Sequence, residues 1–460
     1  MALITSDKQR VVVGLGQTGL SCARFFAARG IPFVLVDSRT NPPGLAQFKN
    51  EFADVPLQLG AFDAQLFSSA DELIVSPGVA LEEPAIAGAI KNGVSVIGDI
   101  DLFVRELAQQ QKSTPIVAIT GSNGKSTVTT LVGEMAKAAQ RNVGVGGNLG
   151  TPALDLLDAQ RDLYVLELSS FQLERGQPLN AEVATVLNVS PDHMDRYASV
   201  QSYHQAKHRV FRGCKQIVIN RADMLTRPLV APSVIEWSFG VDAPDFKGFG
   251  VRENNGERYF AFEHTLLMPV RELRIVGEHN IANALAALAL GHAVGLPMAA
   301  MLQTLREFSG LAHRCQLIAE KNDVGFYDDS KGTNVGATVA AIEGLASAAP
   351  KNKERKIVLI AGGVGKGAEF SGLASVLEKH GRAAVLIGES APAIEAVMKS
   401  LLPLAQAATM QDAVTKAAQL AQAGDCVLLS PACASFDMFD NYAHRGDVFI
   451  AAVNALEETR

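Results

Sequence analysis

Short apolar runs separated by segments with helical periodicity recur along the whole chain. Runs of this kind, alternating with helices, predict parallel, doubly wound sheets and therefore an α/β fold. The predicted strands fall into three groups: 10–16, 33–38 and 72–78, with 94–103 leading out of the first; 115–120, 163–169, 184–190 and 216–220; and 356–363, 383–388 and 426–431.

One region departs from this alternation. Residues 246–263 alternate polar and apolar positions and turn at Asn-Asn-Gly (254–256), which predicts an antiparallel hairpin inserted in the middle group. The polar stretch at 346–356 indicates a solvated loop and not a domain boundary. We place the boundaries near Gly98 and Gly310. The three expected domains are 1–98, 99–310 and 311–460.

Composition narrows the class of protein. The 460 residues carry 48 acids against 41 bases, and the net charge of -7 argues against a nucleic-acid or anionic-membrane partner. The five cysteines show no two-residue spacing of a metal or redox motif, so a reducing cytosol fits best. The first ten residues do not resemble a signal peptide. The apolar stretch at 282–296 is too short to span a bilayer and predicts a buried helix.

The first of three glycine loops follows the first predicted strand and opens a helix. It contains Gly14, Gly16 and Gly19, and Asp37 ends the next strand. This is the context of a dinucleotide fingerprint, in which glycines let the backbone approach a pyrophosphate at a helix N-terminus. Three interpretations stay open: a nucleotide diphosphate of another kind, a nicotinamide dinucleotide, or a tight turn without a ligand.

The second loop, within AITGSNGKSTVTTL at 118–131, also lies between an apolar strand and a helix. Common phosphate loops carry a further glycine five positions before Gly124, where this chain has Ile119. Phosphate binding needs backbone N–H groups, a lysine charge and a hydroxyl for Mg²⁺. The alternative is a glycine-rich helix start with a surface lysine. The candidate residues, in that order, are Ser122, Asn123 and Gly124, then Lys125, then Ser126 or Thr127.

Acids follow two strands of the middle group. Glu167 lies near the end of the strand at 163–169, where it would either complete a Mg²⁺ site or face water at a sheet edge. Asp192, His193 and Asp195 follow the next strand. These three residues are suited either to a cation site or to a helix cap with a packed histidine.

Two lysines carry weaker local signals. Lys366 lies in the third glycine loop, AGGVGKGAEF at 361–370, which is compatible with a simple turn and a solvated lysine. Lys207 is one of several basic residues on a predicted helix, and that pattern alone favours a solvated face.

Together these motifs resemble the Mur ligase family of peptidoglycan synthesis. The family's phosphate loop is the shorter TGxxGKS form, which residues 120–126 match without the extra glycine. ELSSFQL and the first loop most resemble the members that add D-glutamate to UDP-N-acetylmuramoyl-L-alanine. Nearly the whole chain takes part, through AITGSNGKSTVTT, GVGGNLG, LELSSFQLE, SPDHMDRY, AKHRVF, GEHNIANALAA, GLAHR, DDSKGTN and LLSPACASFDMF.

The resemblance implies a cytoplasmic, monomeric, ATP-dependent ligase with three domains. The Rossmann-like N-terminal domain would hold the UDP-sugar substrate, the central P-loop domain ATP and two Mg²⁺ ions, and the Rossmann-like C-terminal domain the incoming amino acid. Lys125 and its loop from Gly121 onward would hold the ATP phosphates. The catalytic set would also include the Mg²⁺ ligands, which are Ser126 or Thr127 with Glu167 for one ion, and His193 with carbamylated Lys207 for the other.

The resemblance also assigns binding residues. Around the nucleotide it implies Asn280, Asn283, Arg314 and Asp329. For the UDP pocket it implies Leu15, Thr18, Asp37, Ser38, Arg39, Ser76, Pro77 and Gly78, with Asn148 near the bound substrate. For D-glutamate it implies Lys331, Thr333, Lys366, Ser435 and Tyr442. The chain departs from the usual family pattern at Val364, Phe436 and Tyr442.

Other function classes explain fewer of these motifs. A nicotinamide-dependent dehydrogenase would leave the Gly-Lys-Ser loop without a role, and a nucleotide-binding switch would not need two further Rossmann-like domains. A folylpolyglutamate-synthetase-like ligase shares the ATP domain, but the UDP-type first loop argues against it.

Overall fold

The computed structural model describes residues 8–110, 113–275, 277–347 and 355–456, which contain three separate β-sheets. The predicted strands of each group lie together in one sheet, and each sheet also contains strands that the apolar runs did not predict. The α/β prediction is therefore confirmed. Residues 348–354 of the predicted loop at 346–356 lie outside the described residues.

The first sheet belongs to the N-terminal domain and has five parallel strands in the order β3-β2-β1-β4-β5. Its strands are β1 (Arg10–Val13), β2 (Val34–Asp37), β3 (Leu57–Leu59), β4 (Glu72–Val75) and β5 (Ser95–Ile97). Its helices are α1 (Gln17–Ala27), α2 (Leu45–Glu51), α3 (Ala64–Ser69) and α4 (Pro84–Lys91), and α5 (Asp99–Gln109) leads into the middle domain.

The second sheet forms the middle domain and has nine strands in the order β14-β13-β12-β11-β10-β9-β6-β8-β7. Its strands are β6 (Ile116–Thr120), β7 (Val143–Gly147), β8 (Leu163–Glu167), β9 (Val183–Val186), β10 (Gln216–Asn220), β11 (Ile235–Phe239), β12 (Gly248–Asn254), β13 (Glu257–Phe262) and β14 (Thr265–Pro269). Its helices are α6 (Lys125–Ala138), α7 (Ser170–Leu173), α8 (Val200–His208), α9 (Glu278–Ala293) and α10 (Met298–Glu307).

The predicted hairpin is confirmed as β12 and β13, which pair antiparallel across Asn255 and Gly256. Both turn residues have positive φ, 52° and 77°, which asparagine and glycine adopt more readily than other residues. The buried helix predicted at 282–296 is α9. In the described part of the chain no helix is long and apolar enough to cross a membrane.

The third sheet forms the C-terminal domain and has six strands in the order β15-β16-β20-β17-β18-β19, all parallel except for the β15–β16 pair. Its strands are β15 (Gln316–Lys321), β16 (Val324–Asp328), β17 (Ile357–Gly362), β18 (Gly381–Ile387), β19 (Leu404–Gln406) and β20 (Cys426–Leu429). Its helices are α11 (Val335–Ser347), α12 (Ser371–His380), α13 (Ala391–Met398), α14 (Met410–Leu420) and α15 (Tyr442–Asn454).

The apolar clusters show which domains share a core. One cluster runs without a break from the N-terminal sheet through α5 to the middle sheet, and within it the rings of Phe103 and Tyr164 meet edge to face at 5.1 Å. Among the described residues, the two clusters of the C-terminal domain contain side chains of that domain alone. The N-terminal and middle domains therefore share a core, whereas the C-terminal domain has its own.

Candidate active site

The phosphate loop connects β6 to α6 at the carboxyl end of the middle sheet. Gly121 and Gly124 have φ values of 151° and 80°, and a Cβ at Gly124 would collide with the Oδ1 atom of Asn283. Glycine is therefore required there by conformation and by space. Asn188, which we did not anticipate from sequence, holds the loop. Its backbone and side-chain oxygens accept the N–H groups of Ser122 and Asn123 at 2.9 and 2.8 Å, so these two donors, expected for phosphate, are engaged within the protein.

Two lysine ammonium groups converge on this loop. Lys125 Nζ donates to the carbonyl oxygens of Gly121 and Ser122, both at 2.9 Å, and Lys207 Nζ donates to the same Gly121 oxygen at 2.8 Å. Burial lowers the pKa of Lys125, and burial together with the Lys125 charge lowers the pKa of Lys207 well below its usual range. Lys207 is 1% exposed, so the solvated face suggested by its local pattern is wrong. The surface-lysine alternative for Lys125 is also wrong.

Glu167 lies at the end of β8, beside this loop, and is 3% exposed. Its Oε1 atom accepts a hydrogen bond from Asn148 Nδ2 at 2.8 Å, whereas its Oε2 atom is buried and has no hydrogen-bond partner among the residues that the structure describes. The alternative of a water-facing acid is therefore wrong. Ser126 and Thr127, in the first turn of α6, are buried as well.

Asp192 and His193 follow β9 without capping a helix. The next helix, α8, begins at Val200 with Ser199 as its cap, so the helix-cap interpretation is wrong. His193 has a φ of 58°, packs its ring edge to face on Phe171 at 4.9 Å, and lies 3.6 Å from an Asp192 oxygen. Burial lowers the pKa of His193 to about 4, which keeps its imidazole neutral near pH 7.

The C-terminal domain contacts the phosphate loop through polar side chains. Lys366 Nζ donates to Asp192 Oδ1 at 2.8 Å, so the solvated Lys366 of the alternative interpretation is wrong. Asn334 and Asn123 exchange hydrogen bonds between their amides, at 3.0 and 3.4 Å, and Asn334 also donates to Asp192 at 3.3 Å. Asn334 is the last residue of the DDSKGTN segment, and its partners lie too far away in sequence to be inferred locally.

A cavity of about 180 Å³ lies between the middle and C-terminal domains. Within it, burial raises the pKa of Asp329 to about 7, and Ser430 Oγ donates to this carboxyl at 2.6 Å. Burial also lowers the pKa of Arg314. All four residues expected around the nucleotide line this cavity, together with two residues of the phosphate loop, one residue of α6 and one lysine: Asn280, Asn283, Arg314, Asp329, Asn123, Gly124, Thr127 and Lys331.

A second cavity of about 570 Å³ lies at the carboxyl ends of the N-terminal strands and extends to the middle domain. The Asp37 carboxylate in the wall of this cavity already has partners within the protein. Its oxygens accept hydrogen bonds from the backbone N–H of Leu15 at 2.7 Å and from the Arg39 guanidinium. Leu15 itself is fully buried and is absent from the lining, unlike the other expected residues. The expected residues in the lining are Thr18, Asp37, Ser38, Arg39, Ser76, Pro77, Gly78 and Asn148.

Comparison with known proteins decides the family. Models of three consecutive domains match the chain: the Mur ligase MurD-like N-terminal domain at residues 8–98, the Mur ligase middle domain at 119–291, and the Mur ligase glutamate ligase domain at 313–433. The chain belongs to the Mur ligase family. Members of this family use ATP, which agrees with a phosphate loop on which two lysine side chains converge.

Similar proteins extend over the full length. The UDP-N-acetylmuramoylalanine–D-glutamate ligase of Pseudomonas aeruginosa is 57% identical over 456 residues, covering 99% of this chain and all of the relative. A protein of the same name from Acinetobacter baylyi is 53% identical over 455 residues, with 99% and 100% coverage.

Solved structures show the same architecture at low identity. A pseudomurein peptide ligase type C from Methanothermus fervidus matches with a TM-score of 0.62 and 19% identity, over 97% of this chain and 100% of that one. A UDP-N-acetylmuramate–alanine ligase from Thermotoga maritima gives 0.61 and 18%, over 97% and 99%. At these identities the likeness establishes the Mur ligase fold alone.

The residues that the Mur ligase resemblance assigns to D-glutamate have different surroundings in this structure. Lys331 Nζ lies 3.8 Å from the ring centre of Tyr442, and burial lowers the pKa of Lys331 to about 8. Lys366 is held by Asp192, and Ser435 is 2% exposed. Thr333 is half-buried beside Asn334. Of the departures from the family pattern, Phe436 is 74% exposed and Val364 pairs with Ala434 in an isolated bridge.

The donor set suits one Mg²⁺ better than a second one. The unpartnered Glu167 Oε2 and the hydroxyls of Ser126 and Thr127 are hard oxygen ligands of the kind that Mg²⁺ prefers. The other expected pair, His193 and unmodified Lys207, offers only nitrogen atoms, whereas Mg²⁺ prefers oxygen ligands. Within the described ranges no group of three or more His, Cys, Asp or Glu side chains is placed to hold a metal.

Proposed function

We propose that this protein joins D-glutamate to UDP-N-acetylmuramoyl-L-alanine with cleavage of ATP to ADP and phosphate. The observation that carries the proposal is the identity of 57% with ligases of that name along 99% of the chain. Such identity spans the N-terminal pocket, the phosphate loop and the C-terminal domain together, and no shared single domain would explain it.

The reaction proceeds through an acyl phosphate. An oxygen of the alanyl carboxylate attacks the γ-phosphorus of ATP, and the bond to the ADP oxygen breaks. The amine of D-glutamate then attacks the acyl carbon, phosphate leaves with the carbon–oxygen electron pair, and the new amide nitrogen loses a proton. The carboxylate and triphosphate repel each other, so Lys125 contributes by holding a positive charge where they meet.

Two Mg²⁺ ions complete the proposed site. Glu167 with Ser126 or Thr127 would hold one, and His193 with a modified Lys207 would hold the other. When bound, the ions supply positive charge that further reduces the repulsion between the two anionic substrates. The neutral imidazole of His193 and the unpartnered Glu167 oxygen support these assignments.

Lys207 would act as a carbamate. The neutral amine nitrogen of Lys207 forms a bond to the carbon of CO₂ and releases one proton, which gives a carbamate with two oxygen ligands. The reaction needs a neutral amine. A second ammonium on the same carbonyl oxygen and almost complete burial both favour the neutral form.

The substrates divide between the two cavities. The UDP part occupies the N-terminal cavity, ATP occupies the cavity between the middle and C-terminal domains, and D-glutamate enters from the C-terminal domain. The residues that would bind the UDP substrate are Thr18, Asp37, Ser38, Arg39, Ser76, Pro77, Gly78 and Asn148. Those that would bind ATP are Asn280, Asn283, Arg314 and Asp329. Those that would bind D-glutamate, in the C-terminal domain, are Lys331, Thr333, Lys366, Ser435 and Tyr442.

The same proposal includes the setting of the enzyme. We place the domain boundaries after residues 98 and 310, and we expect a monomer that works in the cytoplasm on peptidoglycan precursors.

Phosphate release tests the function directly. The assay contains ATP, Mg²⁺ and UDP-N-acetylmuramoyl-L-alanine, with D-glutamate, L-glutamate, other D-amino acids or no amine. We expect release that requires both the UDP substrate and D-glutamate. Release with neither would indicate an ATPase or a switch, and release with a different amine would keep the mechanism and change the substrate.

A further inference from the structure

The guanidinium of Arg175 is buried between the N-terminal and middle domains. It is 7% exposed, and its two terminal nitrogens donate to four backbone carbonyl oxygens, those of Val75, Ser76, Pro77 and Val79. These carbonyls belong to the turn after β4, which we call the substrate turn (residues 75–79). Ser76, Pro77, Gly78 and Val79 of this turn line the N-terminal cavity.

Arg175 stands on a segment that is itself fixed at both ends. On one side, Ser169 and Gln172 form a capping box at α7, and Gln172 Nε2 donates to Asp99 Oδ2 at 3.1 Å. On the other side, the Gln177 N–H donates to Asp101 Oδ1 at 2.6 Å. The segment therefore cannot shift without breaking contacts to the start of α5.

The same segment begins at the phosphate site. Residues 167–175 run from Glu167, beside the phosphate loop, through Gln172 in the wall of the N-terminal cavity to Arg175. One short piece of chain thus connects the acid proposed to hold Mg²⁺ with the turn that lines the nucleotide-sugar pocket.

From these contacts we infer that Arg175 is a positioning residue for the UDP-sugar substrate. It fixes the substrate turn relative to the middle domain, so that a ligand held by the turn presents its far end at the phosphate loop. This inference rests on the proposed function for the identity of the ligand. A guanidinium suits the task because its rigid fork can donate to several carbonyls at once.

The test compares three ligands and three variants with the wild type. Calorimetry would measure the Kd of UDP, of UDP-N-acetylmuramoyl-L-alanine and of ATP for the wild type, Arg175→Ala and Arg175→Lys. The matched control is Arg252→Ala, because Arg252 also donates to two backbone carbonyls, those of Glu263 and Pro244, both at 2.7 Å, but within the hairpin region.

We expect Arg175→Ala to raise the Kd of the full substrate about tenfold and the Kd of UDP by less than about threefold, because the full substrate spans both domains. The Kd of ATP should stay unchanged, and Arg175→Lys should recover part of the loss. Arg252→Ala should leave all three Kd values unchanged, even if it lowers the melting temperature.

Two outcomes would overturn the inference. Equal loss of affinity for ATP and for the UDP substrate would indicate general damage to the fold, and unchanged affinity for the full substrate would mean that the turn keeps its place without Arg175. If the wild type itself failed to bind the UDP substrate, the proposed function would fail instead. If Arg175→Ala did not fold, the inference would depend on Arg175→Lys, which would have to bind the full UDP substrate more weakly than the wild type while binding ATP equally well.

Discussion

The middle domain meets its two neighbours in different ways. Towards the N-terminal domain it shares a continuous apolar cluster, and the Arg175 contacts lie along the same boundary, which we call the N-terminal junction. Towards the C-terminal domain, at what we call the C-terminal junction, the paired side chains are polar, as in Asn123 with Asn334 and Asp192 with Lys366.

Because of this difference, we expect binding of the UDP substrate to depend on the N-terminal junction and the chemical step to depend on the C-terminal junction. A large apolar interface resists relative motion, whereas small polar contacts between domains are exchanged easily. The N-terminal junction therefore keeps the proposed UDP pocket at a fixed distance from the phosphate loop. We expect the C-terminal junction to open to admit ATP and D-glutamate and to close around them, which would exclude water from the proposed acyl phosphate.

The largest expected effect comes from Lys125→Ala. Removing the charge beside the phosphate loop should reduce turnover by about a thousandfold or more. The Kd of the UDP substrate should change by less than about threefold, because its pocket lies at the other junction. Turnover by phosphate release and affinity by calorimetry check the two halves. Loss of UDP-substrate binding would contradict the separation.

Lys207→Ala should lower turnover by about a hundredfold, since it removes the proposed carbamate. Added formate or acetate should restore part of the activity by placing a carboxylate in the space that the side chain leaves. Lys125→Ala serves as the control, because its missing positive charge cannot be replaced by an anion. No rescue at any carboxylate concentration would count against a carbamate.

Asn334→Ala should lower kcat roughly tenfold by weakening the closed C-terminal junction. The Kd of the UDP substrate should not change. Small-angle scattering of the free variant should show a larger radius of gyration than that of the wild type, because the amide pair with Asn123 is lost. Identical scattering and kcat would show that this contact does not hold the junction.

The smallest effect concerns stability at the N-terminal junction. Burial raises the pKa of Asp99 from its usual value of 3.8 to about 6, so the contribution of Asp99 to stability falls as pH rises from about 4 to 6 and stays low above that range. Asp99→Asn removes the buried charge and should raise the melting temperature by about 2–4 °C at pH 8.

At pH 5 the advantage of Asp99→Asn should shrink, because the wild-type carboxyl is largely protonated there. Thermal melting at both pH values checks this expectation, with the exposed Asp54→Asn as a matched control. An advantage of equal size at pH 5 and pH 8 would show that the Asp99 charge is not the cause.

Local patterns predicted the framework well and the burial of charges poorly. The strands and the hairpin follow from apolar runs and an Asn-Gly turn, which act over a few residues. Lys207 sits in a polar helix, and its burial results from contact with Gly121, a residue distant in sequence that only the folded sheet brings near. The same limit hid Asn188, Asn334 and Arg175, whose partners are equally remote.

The family resemblance supplied part of what the local patterns lacked. It singled out Lys207 and His193, which spacing alone left open between a solvated face or helix cap and a ligand. It also assigned Leu15 to the UDP pocket, and the structure shows that the Leu15 side chain is buried and that its backbone N–H donates to the Asp37 carboxylate. The roles of these residues stay predictions, although their positions are now described.

The strand order of the C-terminal sheet has a consequence for folding during synthesis. The N-terminal sheet is complete once β5, ending at Ile97, has been made. In the C-terminal sheet, β20 is synthesised last but lies between β16 and β17. Until residue 429 is available, the two halves of this sheet each expose an unpaired edge, which is prone to pair with other chains. A chain truncated before Cys426 should therefore keep a folded N-terminal domain and aggregate through its other end.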